Sequence, residues 1–373
     1  MFGPHVTREW AAGKRPPLAA HVEAAAESFY RHADPDNVQG FAFQVFVAGP
    51  RQQKFTTDLD EARGLKAFIE SENARGRMTW GVAHGAYQDV PWNGEKANAQ
   101  WIRKWIRLEL RRAAAAGLAG LVIHLHSTPP EVVVDVLPHL IPGIPTNDPK
   151  RLFTLDGELD TGVPLELSAE SQEEIREMKF WGCFMQSEAS KRPKRGDSLP
   201  DCVRLYLETP ALLPKNSHYE TPAKLAKLFE GIRKWVDPHL QYFGLCIDTA
   251  HIWASGVDIS SFEKASEWLA GLEAVHHIIP PRAIMFHLND IVNPLGSGKD
   301  EHAPLLMGAI WGEFNRCPEK SGLAAFLDYA RRHSIPTILE RKGVKEANEY
   351  TEPLSFRGAI EADLATLKLL GVI

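Results

Sequence analysis

Eight apolar runs are spaced along this chain, and six of them close on a histidine or an acid. They lie near residues 2–6, 41–47, 79–83, 120–125, 203–208, 244–248, 283–288 and 336–340. Stretches such as LAGLVIHL and RAIMFHL are apolar without alternation, which is the pattern of strands buried on both faces. Helical patterns lie between them. LDEARGLKAFIESENARG opens with acids and ends on Arg and Gly, matching the helix dipole and a glycine stop. NAQWIRKWIRLELRRAAAAG sets Trp101, Trp105 and Leu108 on one face at helical spacing. Strands alternating with helices predict an α/β fold, a (β/α)8 TIM barrel that spans residues 1–373 as one catalytic domain. An open doubly wound sheet is the competing architecture. The polar residues decide between them. His84, His124, Glu208, Asp248, His287 and Glu340 each end a different run, and only a barrel brings that many strand ends to one mouth.

One stretch exceeds the alternation. Between His124 and Glu208 there is room for far more than one helix: a Pro- and Gly-rich segment, an acidic helix-like run (SAESQEEIREMKFW) and a basic cluster, Lys191 to Asp197. The expectation is an insertion of about residues 128–202 on the catalytic face, with the basic cluster a solvated surface loop. The remaining composition is permissive: 44% hydrophobic and 24% charged residues suit a globular chain, and a net charge of −6 gives no general attraction to nucleic acid. Cys183, Cys202, Cys246 and Cys317 are scattered without a CxxC pair, which argues against a disulfide framework or a cysteine zinc module. With no membrane-length apolar run and no signal core, the expected setting is cytoplasmic or nuclear.

Three segments concentrate donors for a divalent cation: LCIDTAH with Asp248 and His251, FHLND followed by KDEH with His287, Asp300 and His302, and TILE with Glu340. Imidazole nitrogen and carboxylate oxygen are the ligands zinc takes, several at a time. Asp248 and His251 are three apart at a strand-to-helix turn, and Asp300 and His302 are two apart, so in extended backbone they face one side. Buried without a cation, such acids would be costly.

These segments resemble the endonuclease IV family of apurinic/apyrimidinic (AP) endonucleases, and the resemblance covers most of the chain. LCIDTAHIWASGVDI, FHLNDIVNPLGSGKDEH and TILE are similar to its later strand signatures; LYLETP places Glu208, LVIHLHS His124 and WGVAHGAY His84, while FGPHV and VFVAGPRQ resemble its first two strand segments. What the resemblance implies is a trinuclear zinc centre, with manganese an option at one position. His84, His124 and Glu208 would hold one ion; Glu208 would bridge to a second, shared with Asp248, His287 and Glu340; His251, Asp300 and His302 would hold the third.

The implied reaction is hydrolysis of the phosphodiester 5′ to an abasic site in double-stranded DNA by hydroxide generated at the ions, with Glu208 orienting the attack. Arg51 and Tyr87 would fill the gap left by a flipped-out nucleotide. A monomer with no nucleotide cofactor and no membrane partner is expected. The chain departs from the family's turns: HPG becomes His124-Leu125-His126, the glycine-rich turn after Glu208 becomes ETPALLP, and the turn after His302 becomes APLLMGAIWG. Two other readings stay open on the residues: a sugar isomerase or epimerase of the xylose isomerase-like group, and a catalytically weak DNA-binding relative.

Overall fold

In the computed structural model, the described residues are 1–8, 10–12, 16–34, 40–49, 55–87, 90–92, 97–141, 203–341, 355–371 and 373. Eight parallel strands close into a barrel. They are β1 (Phe2–Val6), β2 (Phe41–Val45), β3 (Thr79–His84), β4 (Gly120–His124), β5 (Arg204–Glu208), β6 (Phe243–Asp248), β7 (Ile284–His287) and β10 (Thr337–Leu339), and β10 returns to pair with β1. A short antiparallel hairpin, β8 (Asp290–Ile291) and β9 (His302–Ala303), rises between β7 and β10. The barrel is the expected architecture. The hairpin has no signal in the sequence, because two residues per strand carry no period.

Strand alternation sorts side chains between two environments. Phe41, Phe43 and Val45 of β2 face outward and join the main core beneath the helices. Ala42, Val82, Val122, Tyr206, Cys246, Met285 and Ile338 point inward and fill the base of the barrel as one apolar layer. The chain positions two residues further along those strands are Gln44, His84, His124, Glu208, Asp248, His287 and Glu340. With His5 of β1 they make the next layer up, one residue from each strand. The registers seat neighbours side by side, His124 beside Glu208 and Asp248 beside His287.

The helices cover the barrel: α1 (Leu18–His32), α2 (Leu59–Ala74), α3 (Ala97–Ala115), α4 (Pro130–Val136), α5 (Pro222–Trp235), α6 (Thr249–Ala254), α7 (Phe262–Ala274), α8 (Gly322–His333) and α9 (Phe356–Leu369). Side-chain caps start several of them. Asp58 accepts from Glu61 N at 2.8 Å, and Thr221, Ser261, Ser321 and Ser355 cap α5, α7, α8 and α9 in the same way. The expected aromatic face of α3 is present: Trp105 and Leu108 are buried with Ala48, and Trp101 and Phe55 pack on them.

Residues 130–136, expected to open the insertion, form α4, the ordinary helix after β4. Val133, Val134 and Val136 are buried and make its apolar face. This helix runs beside α5 away from the catalytic mouth. At its start the Tyr219 hydroxyl donates to Thr128 O, and further along Val134 abuts Gly231. The rest of the expected insertion, residues 142–202, falls on positions the structure does not describe. The acidic run and the basic cluster lie outside the described residues. Among the described residues no helix is long and apolar enough to cross a membrane.

Candidate metal centre

Six strand ends deliver the expected ligands into the layer above the apolar base. Glu208 stands at its middle, fully buried. His84 Nε2 lies 3.2 Å and His124 Nε2 2.9 Å from Glu208 Oε2, while His287 Nδ1 lies 2.9 Å from Glu208 Oε1. The same His287 nitrogen is 3.2 Å from Glu340 Oε2 and 3.8 Å from Asp248 Oδ2. Two clusters of donor atoms result: His84, His124 and Glu208, and Glu208, Asp248, His287 and Glu340.

The third expected group comes from outside the strands. His251 sits on α6, whose first turn is capped by the Asp248 side chain accepting His251 N at 3.0 Å, so the cap fixes the three-residue step between them. His302 opens β9, and Asp300 just before it lies 2.9 Å from His302 Nε2 and 3.5 Å from His251 Nε2. Asp248, His251 and His302 also present donor atoms to one another, so Asp248 faces both the second and the third group.

The imidazoles are held as metal-ligating imidazoles usually are, with one nitrogen anchored and the other facing acids. His84 Nδ1 donates to Gly85 O at 2.7 Å, His251 Nδ1 to Thr209 O at 2.6 Å and His302 Nδ1 to Glu340 O at 2.6 Å. His287 reverses the roles: its Nε2 donates to Gln44 Oε1 at 2.9 Å and leaves Nδ1 toward the acids. This donor set of imidazole and carboxylate fits borderline divalent ions such as zinc.

Without a cation the same geometry moves protons. Burial alone would lower His302, but Asp300 beside it overrides that and lifts it to about 9. His251 is likewise raised well above its ordinary value, its burial outweighed by Asp248 and Asp300. Burial opposes ionisation of Glu208, yet the surrounding imidazoles His124 and His287 hold its carboxyl well below the usual range. Positive charge is thus demanded at the centre of the layer, and a divalent ion can supply it in place of protons.

Several supporting residues carry no obvious mark in the sequence. The Thr209 hydroxyl accepts Asp248 N at 3.0 Å, and the Thr209 carbonyl anchors His251. Asn289 donates to Asp248 Oδ2 at 2.7 Å and accepts Glu340 N at 2.9 Å. His5 and Gln44 complete the layer. Their signal is available: each stands two residues beyond an inward base position.

A cavity of about 60 Å³ opens above the layer among His84, His124, His251, His302 and Glu340. Tyr87 stands at its edge, 42% exposed, its ring 5.4 Å from that of His84 and 5.9 Å from that of His124. Arg51 lies outside the described residues.

A closed parallel barrel whose strand ends converge on buried imidazoles and carboxylates defines a TIM-barrel enzyme with its site at the carboxyl-terminal face. Residues 194–328 match the family of xylose isomerase-like TIM barrels. A probable AP endonuclease of African swine fever virus is 34% identical over 334 residues, covering 89% of this chain and 88% of its own length. The crystal structure of AsfvAP:AG superposes with a TM-score of 0.71 at 31% identity, over 99% of this chain and 98% of that one. Endonuclease IV from Thermus thermophilus shares the fold, with a TM-score of 0.55 at 20% identity over 99% of both chains. The chain belongs to the AP endonuclease family of the endonuclease IV type.

Proposed function

We propose that this enzyme cleaves the phosphodiester 5′ to an abasic site in double-stranded DNA, using three divalent ions, zinc with manganese an option at one position. His84, His124 and Glu208 would hold the first ion, and Glu208, Asp248, His287 and Glu340 the second. His251, Asp300 and His302 would hold the third. One observation carries the reading: four of the five histidines in this set anchor one ring nitrogen to a backbone carbonyl or amide and turn the other toward acids. Bound there, the ions would supply Lewis-acid chemistry, neutralising phosphate charge and activating water.

The protein's own groups position the reaction. Glu208, shared between two donor groups, is the carboxylate placed to orient the attacking water. Tyr87 offers its ring at the cavity edge, 5.4 Å from that of His84. With Arg51 it would fill the gap in the base stack beside the abasic nucleotide. The enzyme is proposed to act inside the cell as a monomer, as a single barrel domain, without a nucleotide cofactor. The test is elemental analysis of the purified protein together with incision of a duplex carrying one abasic analogue. About three ions per chain and a single cut 5′ to the analogue are expected. Ions without incision would refute the substrate, and no ions would refute the whole reading.

A further inference from the structure

Gln44 is the one amide in the ligand layer, and it is fully buried. Its strand reads FAFQVF, apolar on either side, so the amide has a desolvation cost that its contacts must offset. All of those contacts are to site residues. Gln44 Oε1 lies 2.9 Å from His287 Nε2, and its amide nitrogen donates to Glu340 Oε1 and lies 3.0 Å from His5 Nδ1.

The amide orientation is dictated by its neighbours. A carboxylate only accepts, so the group facing Glu340 must be the NH2 end. The carbonyl is then left to His287, which must present an N–H at Nε2. A neutral imidazole carries one such hydrogen, so Nδ1 is the bare nitrogen. That nitrogen is the one facing Glu208, Glu340 and Asp248. Glu340 is sorted in the same way: Oε1 is taken by Gln44, and Oε2, 3.2 Å from His287 Nδ1, is left for the centre.

We propose that Gln44 is a positioning residue for the second ion. It selects Nδ1 of His287 and Oε2 of Glu340 as the ligand atoms, and so joins three strand ends through one side chain. This inference rests on the metal reading above. Outer groups of this kind change metal affinity by roughly 10–100-fold.

The test is chelator competition on the metal-loaded wild type and on Gln44→Leu, which keeps the bulk and removes the amide. One ion is expected to leave the variant at roughly 10–100-fold lower chelator concentration, with the other ions released as in wild type. Identical release profiles in the two proteins would overturn the role of Gln44 while leaving the metal centre standing. A wild type that holds no ion would overturn the metal reading and this inference with it. Should Gln44→Leu fail to fold, 15N ring spectra of the loaded wild type decide the matter: hydrogen at His287 Nε2 is expected, and hydrogen at Nδ1 would overturn the proposal.

Discussion

Stripping the ions should make stability fall with pH across a window that His302 defines. In the ion-free protein Asp300, 2.9 Å away, raises His302 from 6.5 to about 9 against the effect of burial. A shift of that size corresponds to roughly 3 kcal/mol. Asp300 is 36% exposed, so solvent screening reduces this to about 2–3 kcal/mol. The sign follows from the direction of the shift. The folded value exceeds the unfolded one, so the contribution is fully present below pH 6.5 and is lost as pH rises through about 9. The measurement is urea unfolding of ion-free wild type and ion-free His302→Asn at steps from about pH 6 to 9.5, because the difference removes the titrating groups that do not interact with His302. The wild-type advantage should shrink by about 2–3 kcal/mol across the window. With ions loaded the slope reverses, since metal binding needs the bare imidazole and displaces its proton. A wild-type advantage that stays constant with pH would refute the assignment of His302 to the charged cluster.

Three further outcomes are expected. Glu208→Gln should bind two ions fewer than wild type and His251→Ala one fewer, because Glu208 belongs to two donor groups; elemental analysis of both variants checks this. Tyr87→Ala should keep the ion content and raise KM for an abasic duplex by about tenfold, since one stacking contact is worth roughly 1–3 kcal/mol; steady-state incision kinetics measure it. Asp363→Asn should cost about 3 kcal/mol in chemical unfolding, at the low end for a broken buried pair. Asp363 lies 3.3 Å from Arg341 and accepts Leu305 N at 3.0 Å, but burial raises its own carboxyl to about 6 and weakens the pairing.

Much of this arrangement is legible before the structure because parallel strands buried on both faces are unbroken apolar runs. A histidine or acid at the end of such a run is conspicuous, which is why six strand-end ligands stand out. His5 and Gln44 escape for the opposite reason. Each is a single polar residue within an apolar strand, and only its phase relative to the barrel's base layer marks it as part of the site. Thr209 and Asn289 act largely through backbone and amide contacts to Asp248, His251 and Glu340, interactions that residue type alone does not announce. Helix α4 goes unread in the sequence because it has only seven residues, with prolines on either side of its valines.

Sector geometry around the barrel explains why one carboxylate is shared. His84, His124 and Glu208 come from β3, β4 and β5, which are consecutive neighbours, and Glu208, Asp248, His287 and Glu340 come from β5, β6, β7 and β10, which are also consecutive. The two sectors meet at β5, so the residue at its end faces both, and a carboxylate with two oxygens suits that place. The third group is raised above the layer on α6 and the β8–β9 hairpin, nearer the cavity, with Asp300 its most exposed member. Its residues rest on a helix cap and a two-residue ladder rather than on barrel strands.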